Sequence, residues 1–338
     1  MDLMQGRPFT GRTLERLKKF LASVGLLYDD GVEMSVCACD DDGEIIATAS
    51  RQGPVLKCVG VSPDHQGEGL AASVVSETVT DAIGAGLSHL FVFTKPSNRQ
   101  IFDDLGFFPV VETGDVLFME NRRDGVKRFV TSLERRECAG TVGAVVVNCN
   151  PFTKGHLYLM ETAASRCDLL HVFVLSAEKS VFPAGVRMEM VKRGTAHLKN
   201  VLVHPTGDYL ISAATFPDYF LKDRARVDDV KCELDLAIFA RCFAEPLGIT
   251  RRFVGTEPLS PVTAHYNETM KRFLPSRGVE VTEIERAESG GQPISATRVR
   301  ALLKEQGPEA PELAELLPQT TIDVLRGNWD AIAPRLGA

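Results

Sequence analysis

The stretch Val142–Met160, VGAVVVNCNPFTKGHLYLM, decides the fold of the second half of the chain. Its β-branched run, Val145–Val147, is typical of a strand that is buried on both faces. Turn-forming residues interrupt the run at 148–153. The apolar positions that follow recur at helical spacing: Leu157, Met160, Ala164 and Cys167. The stretch therefore predicts a strand, a tight turn and the beginning of a helix.

The beginning of this helix predicts an anion site. The first N–H groups of a helix lack intrahelical acceptors and attract anions, phosphates above all. Gly155 lets a ligand approach the backbone closely, and Lys154 and His156 can add donors and positive charge to an oxyanion. The predicted task of the segment is to hold a nucleoside triphosphate and to stabilise charge while a phosphate bond breaks.

Length and composition indicate a soluble globular chain of two domains, since it has 338 residues and an ordinary apolar content. A net charge of −7 argues against nucleic acid as a partner. Neither a signal peptide nor a membrane-spanning run is evident, so we expect no membrane association and a cytoplasmic location. The eight scattered cysteines form no CxxC pair, which favours reduced thiols over disulfides or a zinc site.

Residues 1–125 predict an α+β domain of mixed strands and helices. Helices are expected at Thr10–Val24, Leu70–Ile83 and Ser97–Leu105, and strands at Met34–Cys39, Glu44–Ser50, Val55–Val61, His89–Thr94 and Asp115–Glu120. The charged segment Asn121–Glu137 predicts a surface helix, and we place a linker helix at 126–140.

Residues 141–338 alternate strands with helices, which predicts a parallel sheet covered on both faces. The expected strands after the first are Leu169–Leu175, Val201–His204, Arg251–Gly255 and Val279–Ile284, and the expected helices are Ala184–Leu198, Asp223–Phe243, Val262–Phe273, Ser295–Lys304 and one or two within Pro311–Gly327. Ser295 and Thr297 begin one of these helices, where hydroxyls and N–H groups can bind phosphate oxygens. Arg300, one turn further, can fork onto two such oxygens.

Two motifs resemble the signatures of the nucleotidyltransferase superfamily. Asn150–His156, NPFTKGH, resembles its (H/T)xGH motif, and Ile294–Arg300, ISATRVR, resembles its ISxTxxR element. The pair brackets nearly the whole second domain and is more specific than either motif alone. The resemblance implies a Rossmann-like, doubly wound parallel sheet on which both motifs, Asn150 and Thr153 included, meet at one nucleotide site.

Many members of that superfamily have histidine where this chain has Thr153, which carries no charge. Charge stabilisation then falls on four residues: His156, Lys154, Lys179 and Arg300. Lys179 and Arg187 are candidates because their segment resembles the one that follows the second strand in this superfamily. In that segment a lysine and a helix arginine face the nucleotide or acyl substrate. Both could equally be solvated surface residues.

The whole chain resembles the citrate lyase ligases, through Asn148–Leu159, Ser212–Lys222 and Val254–Pro258. That resemblance implies that ATP, with Mg²⁺ carried by the nucleotide, and acetate give acetyl-adenylate and pyrophosphate. The acetyl group then passes to the thiol of a CoA-like group on the acyl-carrier subunit of citrate lyase. Gly255, a candidate for nucleotide binding, ends a predicted strand. Thr256 and Glu257 follow it, where they either contact ribose or adenine or cap the next helix. The aromatic segment 215–220 either lines an acyl pocket, docks the carrier or packs in the core.

The first domain resembles the GNAT acetyltransferases at Val61–Ala71, where Gly67 and Gly69 precede a helix and suit a CoA pyrophosphate. Phe102 stands where many acetyltransferases have a tyrosine, and phenylalanine cannot protonate a leaving thiolate. We therefore expect this domain to bind a CoA-like group without transferring acetyl to an amine. Two other functions remain open: a nucleotidyltransferase for a small phosphorylated metabolite, and a binding protein with a degenerate site.

Overall fold

The computed structural model describes residues 2–178, 180–210, 216–217, 219–221, 223–258, 260–289 and 292–337. By its internal contacts the chain divides into two units. Unit 1 comprises Met1–Arg128 and Phe216–Ala237, and unit 2 comprises Phe129–Thr215 and Ile238–Ala338. The chain thus returns to unit 1 in the middle of unit 2. No sequence pattern predicts this return, because the helix-forming segment 223–243 fits the α/β alternation of the second domain equally well.

The described part of unit 1 contains a seven-stranded mixed sheet in the order β1-β2-β3-β4-β5-β7-β6. Its strands are β1 Asp2–Gly6, β2 Met34–Cys39, β3 Ile45–Gln52, β4 Val55–Val61, β5 Phe91–Thr94, β6 Phe108–Glu112 and β7 Leu117–Glu120. Its helices are α1 Gly11–Ser23, α2 Leu70–Gly84 and α3 Arg99–Asp104, and α4 Gly125–Ser132 follows across the boundary. All neighbours are antiparallel except β4 and β5. The predicted α+β class is confirmed.

Helices α1 and α2 bury the faces that their apolar spacing predicts. The buried side chains are Leu17, Phe20 and Leu21 on α1, and Leu70, Val74, Val75, Thr78 and Ala82 on α2. Helix α2 packs on β2, β3 and β4. Each fully buried leucine or valine contributes about 1.5–3 kcal/mol relative to an exposed one, so this packing fixes the loop that precedes α2.

Unit 2 contains, among its described residues, a five-stranded sheet in the order β10-β9-β8-β11-β12, with every pair parallel. The strands are β8 Val142–Val147, β9 Leu169–Val174, β10 Val201–Pro205, β11 Arg251–Gly255 and β12 Glu280–Ile284, followed by a small hairpin of β13 Glu288–Ser289 and β14 Gln292–Pro293. The helices are α5 Lys154–Ala164, α6 Ala184–Gly194, α7 Val227–Ile238 (most of it in unit 1), α8 Glu245–Leu247, α9 Pro261–Phe273, α10 Ala296–Gln306, α11 Leu313–Leu316, α12 Gln319–Gly327 and α13 Trp329–Ile332.

This strand order confirms the predicted doubly wound parallel sheet. The chain moves outward from β8 through β9 to β10, and then resumes on the other side of β8 with β11 and β12. The order reverses between β8 and β11. In open sheets of this kind, ligands bind beyond the carboxyl ends of the strands at such a switch point.

The core of unit 2 ties the loops at this edge to the sheet. Phe152, in the loop after β8, is fully buried and lies against α6. A Cβ atom on Gly194 would come within 2.3 Å of the Phe152 ring, so the helix approaches only because glycine stands there. Val299 and Leu303 anchor α10 in the same core cluster.

The helix expected at Asn121–Glu137 is shorter than its charge pattern predicts, because α4 covers only Gly125–Ser132. Beyond it, Arg135 donates to the Val130 carbonyl (3.1 Å) and Arg136 donates to the Lys199 carbonyl (2.6 Å). These charged side chains satisfy carbonyls at the helix end and in unit 2 instead of extending the helix. Across the described residues, no helix is both long and apolar enough to span a bilayer.

Candidate active site

Helix α5 begins directly beyond the carboxyl end of β8, at the switch point. Thr153 is its N-cap, and the Thr153 Oγ1 accepts the His156 N–H at 3.4 Å. In return the His156 ring accepts the Thr153 N–H at its Nδ1 (3.1 Å), which completes a capping box. The amides of Lys154 and Gly155 stand in the first turn, where no intrahelical acceptor exists. The threonine at position 153 therefore orients the histidine through the helix cap.

His156 is a neutral hydrogen-bond donor at neutral pH. Burial, and secondly the charge of Arg286, lower the pKa of His156 to about 4. Because Nδ1 accepts the Thr153 N–H, the ring proton resides on Nε2. Desolvation disfavours the imidazolium, so in this structure the ring offers a hydrogen-bond donor, and the positive charge expected from the sequence stays a prediction. A neutral Nε2–H can still donate to an oxyanion.

The second motif meets the first, as its resemblance implies. Arg300 Nη1 donates to the Asn150 carbonyl at 2.6 Å, and Nη2 donates to Thr297 Oγ1 at 3.0 Å. A Cβ atom on Gly155 would lie 3.4 Å from the Ile294 carbonyl, so the two segments are in close contact. Burial lowers the pKa of Arg300, although the guanidinium remains charged.

The helix that carries this motif, α10, is capped by Ser295, whose Oγ accepts the Arg298 N–H at 3.1 Å. The N–H groups in the first turn of α10, including that of Thr297, have no acceptor within the helix, as in α5. Two helix N-termini and one arginine therefore converge at the switch point. This arrangement suits a polyanion.

The other predicted cations are placed differently. Lys154 is exposed, and its ammonium donates to the Ala314 carbonyl at 2.6 Å. Lys179 lies outside the described residues. Arg187 is fully buried, so the alternative that it is a solvated surface residue is wrong, whereas its role toward substrate stays a prediction.

Arg187 instead fastens the loops that follow β8 and β9. Its guanidinium donates five hydrogen bonds of 2.6–3.0 Å. The acceptors are the carbonyls of Phe182, Asn148, Leu175 and Ala177 and the side-chain Oδ1 of Asn148. Burial lowers its pKa. Asn150 belongs to the same framework, because its Oδ1 accepts the Phe182 N–H at 3.0 Å. The spacing of the sequence gives no sign of this network, since its acceptors are mainly backbone carbonyls.

Gly255 is the last residue of β11, and Glu257 lies two residues beyond it, on the other side of the switch point. The Gly255 carbonyl accepts from Asn267 Nδ2 at 3.0 Å. Glu257 accepts the Ser260 N–H at 3.2 Å beside the cap of α9, and its carboxylate pairs with Arg286. A cavity of about 290 Å³ adjoins this loop, and it is lined in part by Thr256 and Glu257. The predicted capping alternative thus has structural support, and Arg286 is a neighbour that no motif indicates.

In unit 1, Gly67 and Gly69 stand before α2 with φ values of +88° and +79°. These left-handed conformations strain any residue with a side chain, and the space around both glycines is open. Phe102 is buried and packs edge-on against Phe107, with ring centroids 6.0 Å apart. Phe102 is therefore a core side chain, and it has no proton to donate.

Strands β4 and β5 pair only at Val55–Phe91 and Leu56–Val92 and then diverge. The returning segment of unit 1 covers both strands beside this opening. Tyr219 lies against Cys58 of β4 and its carbonyl accepts the Leu27 N–H at 2.9 Å, and Phe216 packs edge-on against Phe93 of β5, with ring centroids 5.9 Å apart. Of the alternatives for the aromatic segment, core packing describes these two side chains, which are 6% and 9% exposed.

Comparison with known proteins defines the class of this chain. Residues 142–325 match the family model described as citrate lyase ligase C-terminal domain. The chain is 40% identical over 317 residues to the citrate (pro-3S)-lyase ligase of Klebsiella pneumoniae, covering 92% of each chain. It is 37% identical to that of Escherichia coli K12, covering 93% of this chain and 91% of the relative. The chain therefore belongs to the citrate (pro-3S)-lyase ligase family, a family of enzymes, as the sequence resemblance implies.

Solved structures resemble each half more distantly. An acyl-CoA N-acyltransferase from Pseudomonas aeruginosa covers 36% of this chain and matches over its whole length, with 17% identity and a TM-score of 0.32. Thermotoga maritima TmcAL bound with alpha-thio ATP covers 56% of each chain, with 16% identity and a TM-score of 0.37.

Proposed function

We propose that this chain is the ATP-dependent ligase that acetylates the thiol of the CoA-like prosthetic group on the acyl-carrier subunit of citrate lyase. The reaction proceeds through acetyl-adenylate and releases AMP and pyrophosphate. The observation that carries the proposal is the bond from Arg300 to the Asn150 carbonyl, because it joins the two motifs at the switch point of the parallel sheet. Membership of the citrate (pro-3S)-lyase ligase family supports citrate lyase as the protein substrate, and acetate and the carrier thiol are part of the proposal.

In the first step an acetate oxygen attacks the α-phosphorus, the bond to the bridging oxygen breaks, and pyrophosphate leaves with that electron pair. The protein positions the reactants and stabilises charge, and needs no nucleophile of its own. His156 donates its Nε2–H at the α-phosphate. The departing β- and γ-phosphates are bound at the beginning of α10 by Arg300, Ser295 and Thr297. Lys154, at the beginning of α5, adds positive charge. Mg²⁺ would reach the site on the nucleotide and neutralise phosphate charge.

In the second step the carrier thiolate attacks the acetyl carbonyl of the mixed anhydride, a thioester forms, and AMP leaves with its phosphate oxygen. For this step we assign unit 1 the CoA-like group, with its phosphates at Gly67, Gly69 and the first turn of α2. Phe102 has no proton to give, which fits a unit that binds the group without transferring acetyl to an amine. The eight free cysteines fit a reducing cytoplasm.

The test is exchange of labelled pyrophosphate into ATP by the full chain, with formate, acetate or propionate and without the carrier. We expect exchange that requires a carboxylic acid and is fastest with acetate, because adenylate formation is reversible before the thiol arrives. His156→Ala should abolish it. If the exchange rate is independent of acetate and the exchange requires a phosphorylated metabolite, the reaction is that of a nucleotidyltransferase and the proposal is overturned.

A further inference from the structure

Arg286 is a cation at the carboxyl ends of β11 and β12 that belongs to neither motif. It follows the last residue of β12, Ile284, by two positions. The next residue, Ala287, accepts the N–H of Ile294 at 3.1 Å, and Ile294 is the first residue of the second motif. Arg286 therefore stands where β12 passes into the segment that carries α10.

The guanidinium of Arg286 holds the loop after β11. Its Nε donates to the Thr256 carbonyl at 2.8 Å, and a terminal nitrogen pairs with the Glu257 carboxylate. The Glu257 side chain is 7% exposed and that of Arg286 30% exposed, so the pair is largely withdrawn from water. A planar, two-armed contact of this kind fixes direction as well as distance, which a lysine ammonium cannot do.

The same charge acts on His156. Arg286 follows burial as the second cause that lowers the pKa of His156. The contacts of the ring are with neutral side chains: Phe152 stacks at a centroid distance of 6.0 Å, and Thr153 makes the capping contacts. One side chain thus touches the loop after β11 and biases the protonation of the histidine at the tip of α5.

We propose that Arg286 is a positioning residue of the nucleotide site, which fixes the Thr256–Glu257 loop against the segment that carries the second motif. The inference rests on the proposed function, because it assigns the loop and the ring to ATP. Arg286 carries out no chemical step itself. Its removal should loosen ATP binding and let His156 protonate at higher pH.

The test compares Arg286→Gln and Arg286→Lys with the control Arg251→Gln. Arg251 pairs with Glu280 at 2.6 Å across the same two strands, at their amino ends. We expect Arg286→Gln to raise the KM for ATP about tenfold or more in the exchange assay, since it removes a charge-assisted pair. Arg286→Lys keeps the charge but loses the fork, so it should raise KM less. Arg251→Gln should match the wild type.

A second readout does not depend on ligase activity. Ring signals of labelled histidine are titrated in the full chain, with His156→Gln used to assign the His156 resonance. In Arg286→Gln the His156 signal should titrate at higher pH than in the wild type and in Arg251→Gln, and in Arg286→Lys it should stay near the wild-type position. Circular dichroism confirms that each variant is folded.

The outcomes separate the two ideas. If Arg286→Gln leaves both the KM for ATP and the His156 titration at the values of Arg251→Gln, the inference about Arg286 is wrong while the ligase proposal stands. If the wild type shows no acetate-dependent exchange, the ligase proposal fails, and the histidine titration still decides whether Arg286 controls the ring.

Discussion

Replacing Arg300 with alanine tests whether the two motifs form one site. In the structure this guanidinium reaches the Asn150 carbonyl at 2.6 Å and the Thr297 hydroxyl at 3.0 Å. A hydrogen bond to a charged group contributes about 1.5–3 kcal/mol, and the alanine variant also loses the charge that would face the triphosphate. A loss of about 3–4 kcal/mol of transition-state stabilisation corresponds to a fall of roughly 10²–10³-fold in kcat/KM for ATP.

The matched control for this variant is Arg298→Ala, which removes an arginine from the same helix, two residues nearer its N-terminus. The backbone N–H of Arg298, which Ser295 caps, is unchanged by the substitution. Acetate-dependent pyrophosphate exchange is measured for both variants, with thermal unfolding to show that each is folded. If Arg300→Ala retains kcat/KM within threefold of Arg298→Ala, the two motifs do not act together and the reasoning from their contact is refuted.

Three further predictions concern stability and the role of unit 1. Arg187→Met should lower the free energy of unfolding by about 2 kcal/mol or more, because five acceptors lose their donor. The control Arg193→Met, at an exposed site on the same helix, should change the free energy of unfolding little, and urea unfolding measures both. The pKa values of His156, His171 and His204 are each lowered to about 4 by burial, so the unfolded chain binds more protons between about pH 6.5 and 4. Stability should therefore be complete above pH 6.5 and fall toward pH 4, and a urea midpoint that is constant across this window would contradict the argument. Calorimetric titration of the full chain with dephospho-CoA should give binding that Gly69→Val weakens, because valine is strained at φ +79° and blocks the open loop; no heat at millimolar ligand would count against a CoA-like site in unit 1.

The sequence predicts those parts of the fold that depend on local periodicity. The β-branched run Val145–Val147 and the predicted strand Arg251–Gly255 become interior strands of the parallel sheet, and the turn after the first leads into α5. The spacing of Ser295, Thr297 and Arg300 predicts a capped helix, which the Ser295 cap confirms, whereas its binding of phosphate stays a prediction. Periodicity finds these features because each is fixed by neighbours within a few residues.

Features that depend on distant carbonyls are not predictable in this way. Arg187 has the sequence context of an exposed helix arginine, yet its acceptors come from two loops that only the sheet brings together. The protonation of His156 depends on burial and on Arg286, which lies far along the chain. Strand β1 is equally hidden, because the five residues Asp2–Gly6 show no alternation and are ordered by antiparallel pairing with β2.

The return of Phe216–Ala237 to unit 1 has a consequence for how this enzyme can be dissected. A protease cut or gene truncation after residue 128 would separate the first part of unit 1 from Tyr219 and Phe216, the aromatic residues that lie against Cys58 and Phe93. A single break in the chain therefore yields neither unit 1 nor unit 2 intact. Unit 1 would have to be reassembled from two fragments, or rebuilt with its distal segment grafted on by a linker.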